Sequence, residues 1–188
     1  MSEPTLLLAP LKPRTVAPRL WADGRFVADP WHTIAGDAPL PADGPVILPL
    51  ARWRTARTSL AGSDQRIGVT VAPGEAIDPV TDAIARLDLI ALDFPKFSDG
   101  RAYSTARRLR EQGFRAEIRA TGDVLLDQIP LMLRAGFDAF LIVNAATVHA
   151  LETAPLPAVT RVYQAGSESS RHAWRSRRAP QIQRVAAE

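Results

Sequence analysis

The chain has 188 residues, of which 46% are hydrophobic and 23% are charged, and this balance is typical of a single folded domain. It contains no cysteine, which excludes disulfides, cysteine nucleophiles and cysteine-ligated zinc or iron–sulfur centres. The three histidines lie far apart in the sequence, and their spacing indicates no metal site.

The formal charge of +3 comes from residues 166–188, and the rest of the chain is balanced. We interpret this basic tail as a solvated, disordered end, with contact to an acidic partner as the alternative. A neutral body does not suit a nucleic-acid-binding domain, so we expect no nucleic acid as a partner. Residues 1–20 are rich in proline and are predicted to form a flexible arm, which leaves residues 21–165 as one domain. The start has no apolar run long enough for a signal peptide or a membrane helix, so we expect a cytoplasmic protein without membrane contact.

In chain order, turn signals first separate two short strands, predicted over 25–28 and 46–48, from a helix over 50–60. From residue 66 onward, apolar runs alternate with helical stretches. The remaining strands are predicted at 67–71, 89–94, 117–120, 139–143 and 159–163, and the remaining helices at 78–87, 101–112, 124–135 and 147–151. Pro130 would break the third of these helices, so we predict a kink, with one piece ending at Gln128 and the next holding Pro130 in its first turn.

Strands that alternate with helices indicate βαβ crossovers and a parallel sheet, and near-continuous apolar strands indicate a sheet covered on both faces. We therefore predict an α/β fold in a single domain. Its sheet is expected to be mostly parallel, with about five strands from consecutive βα units, after a short irregular N-terminal region that contains β-strands. An open sheet is favoured because eight βα units do not fit in this length, and the alternative is a partial βα barrel completed by a second subunit.

Loops that follow the strands of a parallel sheet share one edge, where ligands bind and helix N-termini favour anions. We expect the loops at 94–101 and 120–123 to face each other there and to form an anion-binding pocket or a docking edge. The predicted ligand-binding residues are Lys96, Ser98, Asp99, Arg101, Ser104, Thr121, Asp123 and Gln128, and the catalytic candidates are Lys96, Asp99 and Asp123.

Several of these residues also have a structural interpretation. Asp99 and Asp123 precede predicted helices, where an N-cap carboxylate contributes about 0.5–2 kcal/mol to stability. Lys96 is one of only two lysines beside 21 arginines, and its phenylalanine and proline neighbours suggest an ammonium in a partly apolar setting. An ion pair of Lys96 with Asp93 or Asp99 is the alternative. No dinucleotide-binding glycine motif, Walker loop or nucleophile elbow is present, so no cofactor is evident.

Three blocks in residues 89–140 form a long and specific pattern: LIALDFPKFSDGRAYSTARRLRE, EIRATGDVLLDQ and RAGFDAF. In this order and spacing they resemble the bacterial family catalogued as domain of unknown function 934, and the resemblance covers most of residues 20–145. The family pattern usually has DGRGYS, where Ala102 replaces the second glycine here. We expect alanine to be tolerated because the position lies at a predicted helix start.

The resemblance implies a biological role but no set of catalytic residues. Members of the family are often labelled oxidoreductases of sulfite reduction. They are typically encoded beside the haemoprotein subunit of assimilatory sulfite reductase, which implies a role in sulfate assimilation and cysteine biosynthesis.

Three hypotheses follow from the residues and the resemblance. The first is an accessory protein that binds the sulfite reductase haemoprotein subunit or a small oxyanion. The second is a small α/β enzyme acting on an anionic metabolite, with Lys96 and Arg101 as anion ligands and an aspartate as proton carrier. The third is a scaffold that works as a homo-oligomer, a homodimer with Trp31 or Trp53 on an exposed patch.

Overall fold

The computed structural model describes residues 15–60, 62–81 and 84–156, which form one mixed sheet with helices in the connections. The strands are β1 (Thr15–Ala22), β2 (Arg25–Val27), β3 (His32–Thr33), β4 (Val46–Pro49), β5 (Ile67–Val71), β6 (Leu89–Phe94), β7 (Glu117–Gly122) and β8 (Ala139–Asn144). The helices are α1 (Leu50–Leu60), α2 (Asp78–Thr81), α3 (Arg101–Glu111), α4 (Ile129–Ala135) and α5 (Ala145–Thr153). The arm residues 1–14, the predicted strand at 159–163 and the predicted tail lie outside the described residues.

The strand order is β2-β1-β8-β7-β6-β5-β4-β3. Strands β3 to β8 are parallel, whereas β1 is antiparallel to both β2 and β8. The α/β class is as predicted, but the prediction of about five mostly parallel strands is wrong in number and in kind. The additional strands come from the N-terminal region, where β1 begins at Thr15 and so starts within the range predicted to be an arm.

The helices pack on one face of the sheet. Trp53 of α1, Leu109 of α3 and Met132 of α4 belong to the same buried cluster as Leu48 and Ile90 of the strands. Because the parallel strands follow one another in sequence order, crossovers of one hand place every helix on the same side. This is the arrangement of a βα barrel rather than of a sheet with helices on both faces.

The sheet is curled into a half-barrel, and the chain itself shows why. Its two edge strands, β2 and β3, are connected only by residues 28–31. A flat sheet of this width would hold its edges about 34 Å apart, but the connection spans at most about 18 Å when fully extended. The predicted alternative, a partial barrel, therefore describes the sheet better than an open sheet does. Trp31 of the crossing segment packs on the concave face with Ile47, Leu89 and Ala91.

A buried arginine ties the crossing segment to the middle of the sheet. Arg119 of β7 is 1% exposed, and it donates hydrogen bonds to Asp29 (Nη1 to Oδ2, 2.8 Å) and Glu117 (Nε to Oε1, 2.7 Å). Ala91 and Ala139 flank it in register on the neighbouring strands, which leaves room for the guanidinium. Among the described residues, Arg119 Nη2 has no hydrogen-bond partner.

The predicted break at Pro130 is confirmed. A 3-10 turn over Leu126–Gln128 is followed by α4, which holds Pro130 in its first turn and ends at Gly136 in the left-handed conformation. Proline needs no hydrogen bond at this position, so the helix restarts there without strain.

The exposed tryptophan patch of the scaffold hypothesis is absent. Trp31 is 8% exposed and Trp53 is 4% exposed, because both side chains fill the core. A homodimer through these two side chains is therefore ruled out as the hypothesis stated it.

Candidate functional site

Two loops meet at the carboxyl edge of the parallel strands. The β6–α3 loop (residues 95–100) follows Phe94, and the β7–α4 loop (residues 123–128) follows Gly122. Phe94 and Gly122 are register partners on adjacent strands, so the loops leave the sheet side by side. The sequence predicts this arrangement, because the carboxyl ends of parallel strands share one edge.

Side chains of the β7–α4 loop hold the backbone of Phe97 on both sides. The N–H of Phe97 donates to Asp123 Oδ2 (3.1 Å), and its carbonyl accepts from Gln128 Nε2 (2.5 Å). Gln128 is itself fixed, because its Oε1 accepts from the N–H of Leu125 (3.2 Å). Asp123 therefore binds the neighbouring loop, and the prediction that it caps a helix is wrong, since α4 begins at Ile129.

Gly122 lets the two strand ends approach closely. Its φ is +89°, and its own successor, Asp123, donates a backbone hydrogen bond to the Phe94 carbonyl (2.7 Å). A Cβ at this position would lie 2.3 Å from the Phe94 carbonyl oxygen. The position therefore requires glycine both for its conformation and for the contact.

An aromatic cluster packs against the base of the β6–α3 loop. The ring of Phe94 meets Tyr103 of α3 edge-on at 5.5 Å and lies 5.8 Å from Phe137. Burial, and to a lesser extent the charge of Asp127, raises the pKa of Tyr103. The base of the β6–α3 loop is thus packed in the core, while its tip faces solvent.

Asp99 of the β6–α3 loop forms an ion pair with Arg101, the first residue of α3. Arg101 donates through Nη2 (2.6 Å) and Nε (3.0 Å) to the two carboxylate oxygens of Asp99, and its N–H donates to Oδ1 (3.1 Å). The side-chain hydrogen bond, with the backbone one, lowers the pKa of Asp99 to about 2, and the same pair raises the pKa of Arg101. Asp99 precedes the N-cap, which is Gly100, so it stabilises the helix start without being the N-cap.

Lys96 lies on the exposed tip of the loop. Neither prediction for it holds: its surroundings are solvent rather than apolar, and it makes no hydrogen bond or ion pair with any described residue. Asp99 is engaged with Arg101, and Asp93 accepts from Thr121 Oγ1 (3.2 Å). The ammonium of Lys96 therefore faces solvent and has no ionic partner among the described residues.

The other predicted ligand-binding residues lie in three places. Ser98 is exposed at the loop tip, and Ser104 is exposed on the first turn of α3. Thr121 lies beside Asp93 on the concave face of the sheet, because both alternate with the side chains that face the helices. The structure thus brings together the loop residues but leaves Ser104 and Thr121 to the side.

The balance of charge in the two loops and at the residues that border them is negative. The acidic side chains outnumber the basic ones, four against two: Asp93, Asp99, Asp123 and Asp127 against Lys96 and Arg101. Within the described ranges, no three histidine, aspartate or glutamate side chains form a group that could hold a metal ion. An edge with this balance favours a free small anion less than the sequence suggested.

Two features of the structure were not predicted from the sequence. Phe97 is 54% exposed, more than any other large hydrophobic side chain in the described ranges. The buried ion-pair cluster of Arg119 was also missed, although Glu117 and Arg119 are two residues apart in a strand and so share one face. That spacing is a signal that could have found the pair.

The cavity of about 730 Å³ lies far from these loops. It opens at the amino ends of the strands and is lined by residues that include Trp21, Leu133 and Phe137. In βα architectures ligands bind at the carboxyl ends of the strands, so we keep the two loops as the candidate site despite the size of this cavity.

The fold and the site define a mixed α/β protein with a curled half-barrel sheet and two interlocked loops at its carboxyl edge. The family model described as "Bacterial protein of unknown function (DUF934)" matches residues 68–174, and the chain belongs to this family. The match includes both loops. A comparison with curated proteins finds no match. Among the described residues, no helix has the length and apolar character that a membrane crossing requires.

Proposed function

We propose that this protein is an accessory protein of sulfite reduction and sulfate assimilation that docks on a partner enzyme through the β6–α3 loop. The expected partner is the haemoprotein subunit of sulfite reductase, on the strength of the family resemblance. The observation that carries the docking proposal is the exposure of Phe97 on a backbone that is fixed from both sides.

An exposed aromatic side chain on a fixed backbone is suited to binding another protein. Full burial of a phenylalanine side chain contributes about 1.5–3 kcal/mol, and Phe97 leaves about half of this unused in the free protein. Because Asp123 and Gln128 already hold its backbone, little backbone conformational entropy is lost when a partner covers the ring. Aromatic side chains of this kind commonly carry most of the energy of an interface.

The charges around Phe97 give the proposed contact its specificity. Lys96 stands next to it with no described ionic partner, so it is available to a carboxylate of the partner. Arg101 is already neutralised by Asp99 and adds little net charge. The proposed partner surface is therefore an apolar pocket that takes the ring, with an acidic group at its rim.

The alternative function, an enzyme acting on an anionic metabolite, has weaker support. A carboxyl group with a pKa of about 2, such as that of Asp99, is a poor proton carrier near neutral pH. Asp123 is occupied by the N–H of Phe97. The exposed Lys96 is what remains in favour of anion binding, and growth of a Lys96→Ala strain on sulfate tests it, since normal growth removes any catalytic role for that residue.

Co-purification tests the docking proposal. The tagged protein is isolated from cells that also produce the haemoprotein subunit, and Phe97→Ala is compared with Leu133→Ala, which truncates another exposed apolar side chain at the opposite end of the sheet. We expect the subunit to be recovered with the wild type and with Leu133→Ala, and to be largely lost with Phe97→Ala. Absence of association with the wild type, together with unchanged sulfite-reducing activity in a deletion strain, would count against the proposal.

A further inference from the structure

Helix α4 leaves two leucine side chains in solvent. Leu131 is 51% exposed, which among the large hydrophobic side chains of the described ranges is second to Phe97 at 54%. Leu133 is 38% exposed. A single exposed leucine is common on protein surfaces and needs no explanation, whereas apolar side chains that lie together mark an interaction site. The position of Leu131 relative to Phe97 is therefore what decides its meaning.

The two leucines lie on opposite flanks of α4. Consecutive residues of an α-helix are 100° apart, so Leu131 and Leu133 project about 160° away from each other. Leu133 lines the cavity at the amino ends of the strands together with Leu151 of α5, so its flank is the α5 side of the helix. The flank of Leu131 is then the α3 side, and α3 packs against α4.

Gln128 relates this flank to the β6–α3 loop. It directly precedes α4, and its Nε2 donates to the carbonyl of Phe97 (2.5 Å). Leu131 follows it by three residues, and residues at this spacing are neighbours on a helix surface. Helical side chains also lean toward the N-terminus of their helix, so the side chain of Leu131 extends toward Gln128. Phe97 and Leu131 thus lie on the same side of the molecule, with Gln128 between their backbones.

The charged side chains near this pair are committed, with the exception of Lys96. On the α4 side of α3, Arg110 donates to the carbonyl of Gly136 (2.9 Å), and Arg107 pairs with Glu111 (3.1 Å). Lys96 is exposed and has no ionic partner among the described residues. A partner would therefore meet two apolar side chains with one uncompensated positive charge at the loop end.

We propose that Phe97 and Leu131 form one docking surface and that the partner enzyme covers both side chains. This inference rests on the proposed function, because it extends the contact of the β6–α3 loop onto α4. Protein interfaces have an apolar centre and a polar rim, and this surface has that arrangement, with Lys96 at the rim. The partner surface is thus apolar over both positions and carries a carboxylate opposite Lys96.

Equilibrium binding of the full chain to the purified haemoprotein subunit tests the proposal. Leu131→Ala is the test variant, and Leu133→Ala is the matched control because it makes the same change on the opposite flank of the same helix. Alanine is the better helix former, so both variants should keep the fold, and thermal unfolding checks this. We expect Leu131→Ala to bind about fivefold more weakly, as for burial of the exposed half of a leucine, and Leu133→Ala to bind like the wild type.

Comparison with Phe97→Ala separates this inference from the proposed function. Weaker binding by Phe97→Ala with unchanged affinity of a folded Leu131→Ala variant would overturn the extended surface and leave docking through the loop in place. Absence of binding by the wild type would overturn both. Equal losses for the two leucine variants would also overturn the inference, as would a wild-type homodimer in sedimentation that Leu131→Ala converts to a monomer, since a second copy would then cover the surface.

Discussion

At the residue scale, the character of the candidate site depends on which side chains are already engaged. Asp123 and Gln128 use their hydrogen-bonding groups on the backbone of Phe97, and Asp99 uses its carboxylate on Arg101. The polar residues that the sequence offers as catalytic candidates therefore serve mainly to fix a loop. The ring of Phe97 and the ammonium of Lys96 beside it remain exposed to solvent.

Gly122→Ala is expected to destabilise the protein by about 1–3 kcal/mol or more, because alanine is strained at φ +89° and its Cβ would meet the Phe94 carbonyl at 2.3 Å. Urea denaturation measures the free energy of unfolding. Gly100→Ala is the matched control, since a Cβ there meets no atom within 4 Å. Equal stability of the two variants would contradict the role given to Gly122.

The ion pair of Asp99 predicts a pH dependence with a definite sign. The pKa of Asp99 is lowered from 3.8 to about 2 by Arg101, so the folded state binds fewer protons than the unfolded state between these pH values. The contribution of Asp99 to stability is therefore complete above about pH 4 and is lost as the pH falls through about 2.

Denaturation of the wild type and of Asp99→Asn across this range checks the prediction. We expect the variant to be less stable near neutral pH and the difference to shrink as the pH falls. A difference that stays constant down to about pH 2 would show that the carboxylate charge of Asp99 is not what stabilises the loop.

At the element scale, the buried and charged side chain of Arg119 stabilises the concave face of the sheet. Arg119 joins β7 to the crossing segment through Asp29, and its guanidinium lies among small side chains. Removal of the arginine would leave two carboxylates beside a void, because Glu117 also loses its partner. The crossing segment and the sheet are thus stabilised together.

Arg119→Ala is expected to cost about 3–5 kcal/mol of the free energy of unfolding, since it breaks a buried ion-pair cluster. Arg115→Ala, a change at an exposed position four residues earlier, is expected to change stability by less than about 0.5 kcal/mol. Urea denaturation of both variants makes the comparison. A similar small effect for both would mean that Arg119 is not needed to hold the concave face.

The elements after residue 66 are predictable because their signals are local. The strand at 67–71 has the predicted bounds, and the break before Pro130 follows from the missing N–H of proline. Ala102 fits α3 without a positive φ, as the sequence predicts. Within the described residues, the predicted helix at 78–87 corresponds to α2 and a 3-10 turn over Ile84–Arg86, and residues 82–83 lie outside the described ranges.

The curl of the sheet and the strands β1 and β3 could not be predicted in the same way, whereas β2 matches the strand predicted at 25–28. β1 contains Pro18, which disfavours a strand in a local pattern, and in the structure Pro18 lies where the pairing with β8 shifts register between Thr15 and Arg19. The curl depends on which strands become the edges, and that is decided by contacts far apart in the sequence. The exposure of Phe97 is likewise a tertiary result, because two side chains of another loop hold its backbone.

At the scale of the whole molecule, we propose that a partner docks at the carboxyl edge of the half-barrel. The carboxyl edge presents the exposed ring of Phe97 on a loop backbone that Asp123 and Gln128 hold by hydrogen bonds. Docking at this edge requires no rearrangement of the loop backbone, since the hydrogen bonds to the backbone of Phe97 exist without a partner. In this proposal, the β6–α3 loop is therefore a preformed docking surface.

Titration calorimetry with the purified sulfite reductase haemoprotein subunit tests the central claim most directly. We expect the wild type to bind and Phe97→Ala to bind about 30-fold more weakly or worse, as for a side chain that contributes about 2 kcal/mol to an interface. The thermal stability of the variant should stay close to that of the wild type, because the ring is exposed. Unchanged affinity of a folded Phe97→Ala variant, or no binding by the wild type, would contradict docking through this loop.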